Sequence, residues 1–131
     1  MTYTLENKNI KMAIDGPLEN YNFSRFDWTS KVVQVWFHNI PVLGAEKMDL
    51  QNENQFGKGL YNEFGIDSPL GFDETEIGEW FHKIGVGLLK KEDSEYAFNK
   101  AHTVEPAQFK SELKKDKLTI SCSSKKVNGY G

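Results

Sequence analysis

Hydrophobic and polar residues alternate with a period of two in several short segments of the chain. In the segment 10–14 (IKMAI), the two isoleucines and the methionine fall on one face, and the lysine and alanine fall on the other. A period of two is typical of a strand with one buried face. We therefore predict a strand here. The residues DGP at 15–17 close it, since glycine and proline set special backbone angles in turns.

The clearest strand pattern is the segment 31–38 (KVVQVWFH), which is largely apolar on both faces. Such a pattern indicates a central strand that is covered on two sides. The residues 39–41 (NIP) end this strand, and 42–44 (VLG) are predicted to begin a short return strand. The segment 48–58 is polar, rich in Asn and Gln, and without a sustained period, which predicts a loop.

The second half of the chain has a similar pattern of short strands. We predict a buried strand over 84–89, a short strand over 96–98, and a hairpin formed by 107–113 and 117–123. No segment has a helical period of useful length. Because short connections favour antiparallel pairing, the chain is predicted to be an all-β, antiparallel β-sandwich with at least six strands.

The stretch from Gly59 to Asp93 concentrates the features of a small-molecule site. It holds six of the eleven glycines, a dense set of acids, and the aromatic pair Trp80-Phe81 just before the apolar run 84–89. A buried strand can position polar and aromatic groups of a glycine-rich loop for ligand binding. The alternative is a long, acidic, solvated loop between two strands, with the aromatic pair in the core.

The composition narrows the class of protein. A chain of 131 residues is expected to form one domain, 1–131. A net charge of −3 argues against nucleic-acid binding, and the lysines near the C-terminus are interpreted as a solvated turn and tail. No apolar window approaches the ~18 residues needed to cross a bilayer, so no membrane association is expected.

The targeting and redox features favour a cytoplasmic location. The N-terminus lacks the apolar region of a secretory signal. The single cysteine, Cys122, excludes an internal disulfide and suits a reducing compartment. Because Cys122 alternates with Leu118 and Ile120, it is predicted to pack in the core rather than act as a nucleophile.

Three segments carry a family resemblance: SRFDWT at 24–29, GLYNEFGI at 59–66 and GEWFHKIGVGLL at 78–89. Together they resemble the aldose 1-epimerase (galactose mutarotase-like) family, and in particular its uncharacterised bacterial branch. They occur in the order in which the family has them, and the resemblance spans nearly the whole chain. The third segment is the most specific.

The resemblance implies a large antiparallel β-supersandwich that binds a sugar on one concave sheet and interconverts its α and β anomers. It covers only the N-terminal half of such a protein, because family members run to roughly twice this length. The family's glutamate base and one assisting histidine belong to the second half and have no counterpart here. We therefore expect half of the family fold, and whether the chain is an enzyme stays open.

The resemblance also indicates which residues contact the sugar. Lys83 stands where the family usually has an arginine that contacts sugar hydroxyls. Lysine lacks the bidentate fork of arginine, so the sugar specificity of the galactose enzymes is not implied. The predicted substrate-binding residues are Arg25, Glu63, Trp80, His82 and Lys83.

Anomer interconversion requires a base that takes the anomeric proton and an acid that protonates the ring oxygen. The candidates for these roles are His82, Glu63 and Glu79, because they lie nearest the three segments. The alternative for both glutamates is a solvated loop acid. Of the other histidines, His38 is predicted to end the central strand, and His102 is predicted to be exposed in a polar connection.

Four acids close together in the sequence raise the question of a metal site: Asp73, Glu74, Glu76 and Glu79. Carboxylates at short spacing could hold a hard cation such as calcium. Their spacing lacks the fixed loop of an EF-hand, so we predict no metal and no cofactor. The expected ligand is a small-molecule sugar.

Three functions are open at this point. The leading prediction is a mutarotase-like, carbohydrate-binding β-sandwich. The first alternative is a non-catalytic sugar-binding or regulatory module, and the second is a structural half-domain that associates with another chain. Half of a supersandwich leaves strand edges unpaired and an apolar face exposed, so we expect a homo-oligomer or a complementing second half.

Overall fold

The computed structural model of the protein describes residues 1–44, 57–64 and 67–130. Within these ranges the chain forms ten β-strands, all paired antiparallel, and no helix. The predicted all-β, antiparallel fold class is thus confirmed. The strands are β1 (Thr2–Glu6), β2 (Ile10–Asp15), β3 (Lys31–Phe37), β4 (Ile40–Pro41), β5 (Leu60–Tyr61), β6 (Trp80–Lys83), β7 (Gly87–Lys90), β8 (Val104–Pro106), β9 (Gln108–Lys114) and β10 (Lys117–Ser123). No helix in the described ranges could therefore span a membrane.

The largest sheet has five strands and β3 at its centre. Strands β1, β2 and β3 pair in sequence, and β4 and β5 pair with opposite ends of β3. A bulge interrupts the β2–β3 register, where Ala13 faces Gln34 but Ile14 faces Val32. The strand predicted over 31–38 is confirmed as β3. One of its faces is less covered than predicted, since Phe37 is 50% exposed.

Two smaller sheets follow along the chain. Strands β6, β7 and β8 form a three-stranded sheet, and β9 and β10 form a hairpin. The hairpin confirms the prediction for 107–113 and 117–123, with limits shifted by one residue in the first strand. Lys114 pairs with Lys117, so Lys115 and Asp116 form its turn.

Three predicted strands were wrong in their limits or do not form. Residues 84–86 are the turn between β6 and β7 instead of the start of a strand, and the residues before them form β6. The predicted strand 96–98 is a loop, because the Lys100 N–H donates to the Ala97 carbonyl and turns the chain. The return strand after β3 is β4 rather than 42–44, since the chain already reverses at residues 38–39. Residues 48–56 of the predicted loop lie outside the described residues.

The hydrophobic core is largely aromatic and includes residues of β6 and β7, while Tyr61 of the five-stranded sheet packs against it. Its rings meet edge to face, as in the pair Phe72–Phe81, whose centroids are 4.9 Å apart at 90°. Much of it comes from irregular chain, because the segment 21–28 contributes three of its rings. The buried members are Tyr21, Phe26, Trp28, Phe72, Phe81, Val86 and Leu89.

Cys122 was predicted to pack in this core, and that prediction is wrong. The thiol is exposed on β10. On the same face of β10, Leu118 and Ile120 are half-buried, so the residues that pack on this face do not extend as far as Cys122. Alternation along a strand identifies a face, and only the packing of other elements decides how far that face is covered.

Candidate functional site

Two of the predicted binding residues, Arg25 and Glu63, form an ion pair at the surface. The Arg25 Nε donates to Glu63 Oε1 at 2.9 Å, and Nη2 donates to Oε2 at 3.4 Å. Two parallel bonds fix the orientation of both planar groups more firmly than one bond would. The side chain of Arg25 is 18% exposed and that of Glu63 is 35% exposed, so both groups are accessible to a ligand.

The backbone fixes the positions of this pair. Glu63 follows β5, and Arg25 lies in the irregular segment between β2 and β3. The Asp27 N–H donates to the Asn62 carbonyl at 2.9 Å, which ties the two segments together next to the pair. Aromatic rings flank the guanidinium, because Arg25 Cζ lies 4.7 Å from the Phe26 ring centroid and 5.2 Å from that of Phe98.

Lys83 lies behind the pair at the end of β6. Its side chain is buried, with 3% exposure, and Nζ donates to the Tyr96 hydroxyl at 3.1 Å. Burial lowers the pKa of Lys83, and the nearby negative charge of Glu63 partly opposes this shift. Burial and the same Glu63 charge raise the pKa of Tyr96 to about 12, so the phenol stays protonated at neutral pH. Glu63 therefore acts electrostatically on both partners.

His102 extends the arrangement inward. Its ring stacks on Tyr96, with centroids 5.5 Å apart and planes at 19°, and Nδ1 lies 3.0 Å from the Ser24 hydroxyl. Burial lowers the pKa of His102, which favours the neutral imidazole. The prediction that His102 is exposed was wrong, because the loop from Lys91 to Thr103 folds its ring onto the core. We refer to Ser24, Arg25, Glu63, Lys83, Tyr96 and His102 as the polar cluster.

The other predicted site residues lie elsewhere. Along β6, Phe81 and Lys83 are buried on one face, whereas Trp80 and His82 alternate onto the other and are half-buried. The His82 Nε2 lies 2.6 Å from the Tyr130 carbonyl, so this ring contacts the C-terminal tail. Glu79 is exposed just before β6. The structure thus brings together Arg25, Glu63 and Lys83, but not Trp80, His82 or Glu79.

A shallow cleft opens beside Arg25. It is a surface depression without enclosed space for even a water molecule, whereas pockets that enclose a whole drug-sized ligand measure ~300–1,000 Å³. Phe98 forms part of its wall and is 49% exposed. We call this the Phe98 cleft; it is lined by Phe23, Arg25, Phe98, Asn99 and Lys100.

The four acids considered for a metal site do not form a ligand set. Asp73, Glu74, Glu76 and Glu79 are all exposed. In the part of the chain that the structure describes, no three His, Cys, Asp or Glu side chains are grouped to hold a metal ion. Within those residues the polar cluster is where three of the predicted binding residues, Arg25, Glu63 and Lys83, come together.

Several residues of the polar cluster could not be found from the sequence. Tyr96 was assigned to a strand and His102 to an exposed connection, and Ser24 lies 78 residues away from its histidine partner. Phe98 was part of the same misassigned strand.

The chain matches no protein-family model, no curated protein and no solved structure. The chemistry of the cluster is therefore the basis on which a function can be proposed.

Proposed function

We propose that the protein binds an aldose sugar at the Phe98 cleft, with the Arg25–Glu63 pair as its main polar contact. The main support is an accessible guanidinium–carboxylate pair joined by two hydrogen bonds, with the exposed ring of Phe98 beside it. The resemblance of the three segments to aldose 1-epimerases favours a sugar over other small polar ligands.

The chemistry of a sugar suits these groups. Its hydroxyls can donate to the Glu63 carboxylate and accept from the Arg25 guanidinium, while one apolar C–H face packs on Phe98. The depression encloses no space of its own, so a bound sugar ring would lie across its opening against Phe98. Because the site is shallow, the expected affinity is weak, of order millimolar, or about −4 kcal/mol.

Lys83 and Tyr96 support the site from behind. The buried ammonium of Lys83 donates to the Tyr96 hydroxyl at 3.1 Å and so holds the phenol ring in place. Replacing Lys83 with alanine is expected to weaken sugar binding by roughly 1–3 kcal/mol, because it removes the charged hydrogen bond that holds Tyr96 in place. If this variant and the unmodified protein bound the sugar with equal affinity, Lys83 would not contribute to the site.

Isothermal titration or ligand-observed NMR with glucose and galactose tests the proposal. The variant Glu63→Gln keeps the shape of the side chain but removes its charge, and we expect it to weaken binding about tenfold or more. Glu112→Gln is the matched control, since Glu112 is an exposed acid on β9 outside the cluster. Equal affinity in Glu63→Gln and the unmodified protein would place any sugar site elsewhere.

Little or no anomer interconversion is expected. The carboxylate of Glu63 is bonded to Arg25 and the imidazole of His102 to Ser24, so neither is poised to transfer a proton to a sugar. A positioned general base commonly supplies ~10²–10⁴-fold of rate. Polarimetry of fresh α-glucose and α-galactose should show the buffer rate. Faster anomerisation that Glu63→Gln or a His82 variant abolishes would establish an enzyme instead.

A further inference from the structure

A row of side chains crosses the outer end of the five-stranded sheet. The register places Glu6 opposite Lys11, Lys11 opposite Trp36, and Trp36 opposite Pro41. Directly paired residues share one face of a sheet, so these four side chains lie side by side. The Lys11 Nζ is 5.3 Å from the centroid of the Trp36 ring. An acid, an ammonium and an indole are thus aligned across the three strands β1, β2 and β3.

Two turns enclose this row at the end of the sheet. In the β1–β2 turn, Asn7 Oδ1 accepts from the N–H groups of Asn9 at 2.9 Å and Ile10 at 2.8 Å. The β3–β4 turn consists of His38 and Asn39, both with positive φ (47° and 68°). The His38 N–H donates to the Asn9 carbonyl at 2.9 Å, so the two turns are bonded to each other and their spacing is fixed.

The row and the turns together form a groove of about 260 Å³. Its charged side chains are Lys8, Lys11 and Glu6, two cations against one anion, in a chain whose net charge is −3. The amide groups of Asn7, Asn9 and Asn39 border it, together with the His38 imidazole. The groove is therefore locally basic, rich in amides, and has an aromatic side chain in its wall.

We propose that this groove binds a carbohydrate that carries a carboxylate, such as a uronic acid. The Lys11 ammonium pairs with the ligand carboxylate, the amides bond its hydroxyls, and the edge of the indole of Trp36 packs on its apolar face. A neutral sugar would leave the excess positive charge of the groove, two lysines against Glu6, without a matching anion. The groove and the polar cluster lie at opposite ends of β3. Trp36, in the groove, is five residues, or ~17 Å, from Lys31 along this strand. Lys31 pairs with β5, and Glu63 of the polar cluster follows β5.

The test follows the indole N–H signals of the protein in two-dimensional NMR while glucuronate is added. Trp36 is assigned with the variant Trp36→Phe. We expect a saturable shift of the Trp36 signal with glucuronate, a much smaller one with glucose, and none with acetate. Lys11→Gln should weaken this binding about tenfold or more, whereas Lys117→Gln, which removes a lysine of β10 outside the groove, should leave it unchanged.

Each contrary result overturns a defined part of the proposal. An equal shift with glucose would refute recognition of the carboxylate, and an equal shift with acetate would refute recognition of the sugar. Unchanged affinity in Lys11→Gln would refute the assignment of the groove. Glu63→Gln separates the two sites, because it should weaken glucose binding at the Phe98 cleft and leave the glucuronate titration of Trp36 unchanged. Loss of both titrations in this variant would show that the groove is not an independent site.

Discussion

At the scale of residues, the protein buries several lysine ammonium groups against neutral oxygens. Lys31 is fully buried, and its Nζ donates to the carbonyls of Pro17, Glu19 and Tyr21. Lys91 donates to the Phe72 carbonyl and lies 4.2 Å from that ring's centroid. A buried charge is tolerated when it is fully hydrogen-bonded, and here each ammonium also holds a loop in place. Lys83 fits the same pattern through Tyr96.

Lys31 should give the stability of the protein a specific pH dependence. Burial lowers its pKa from 10.5 to about 8, although Asp15 and Glu19 oppose the shift. Between these two values the unfolded chain binds more protons than the folded one, so stability rises with pH. Through Lys31, the free energy of unfolding should rise by about 3 kcal/mol at most over this pH range.

Urea unfolding at pH 7, 8.5 and 10 measures this effect, with Lys31→Met as the reference. Tyrosines and the other lysines titrate in both proteins, so the difference between the two pH profiles isolates Lys31. We expect the unmodified protein to gain stability relative to Lys31→Met as the pH increases. Parallel profiles would mean that the three carbonyls keep the ammonium charged throughout this range.

At the scale of elements, the β6–β7 turn is what fastens the three-stranded sheet to the irregular segment 24–30. The Trp28 N–H donates to the Gly85 carbonyl at 3.0 Å. Asp27 lies against the turn, and its Oδ1 accepts from both the N–H and the hydroxyl of Thr29. These two bonds hold the carboxylate in place, so it cannot easily move away from Gly85.

Substitution of Gly85 by alanine should strongly destabilise the fold. Gly85 has φ of +78°, and an added Cβ would lie 1.9 Å from Asp27 Oδ1. Backbone strain and overpacking together should cost more than ~3 kcal/mol. Gly129→Ala is the matched control, since φ there is +83° with no atom within 4 Å of the added Cβ. It should cost only ~1 kcal/mol in thermal or urea unfolding. Similar losses in both variants would contradict the predicted clash with Asp27.

At the scale of the whole molecule, the sheets leave part of one face uncovered. Ile10, Phe37 and Ile40 are directly paired neighbours, so they share a face of the five-stranded sheet. They are 42%, 50% and 64% exposed, respectively. Leu60, which is exposed, and Tyr61 are adjacent in β5, so their side chains point to opposite faces of the sheet. Because Tyr61 packs against the aromatic core, the core lies on the face opposite to Leu60. Apolar side chains grouped in this way favour contact with another surface.

The expected homo-oligomer stays a prediction, and this face is where we expect its contact. Light scattering over a range of protein concentrations should give a mass that rises above that of the 15.0 kDa chain. Phe37→Glu should shift the mass towards the monomer, because it places a charge within the apolar face. Leu113→Glu, at an exposed position beside the hairpin turn, is the control. A monomer at every concentration would refute self-association.

The sequence by itself determined those strands whose pattern is local. The apolar run in 31–37 and the alternation in the two strands of the β9–β10 hairpin depend only on neighbours along the chain, and these strands form close to the predicted limits. The strand expected over 84–89 begins late, because the positive φ of Gly85 reverses the chain there. The preceding residues WFHK, mixed in polarity, form β6 because β7 pairs with them.

Only the tertiary structure decided which side chains meet at the candidate site. The motifs contained Arg25, Glu63 and Lys83, but Trp80 and His82 were grouped with Lys83 because they are its neighbours in sequence. Once these residues form a strand, adjacent side chains point to opposite faces. Tyr96 and His102 reach the cluster because the loop between β7 and β8 folds their rings onto Phe81. Such a contact depends on the packing of distant segments, which no local pattern records.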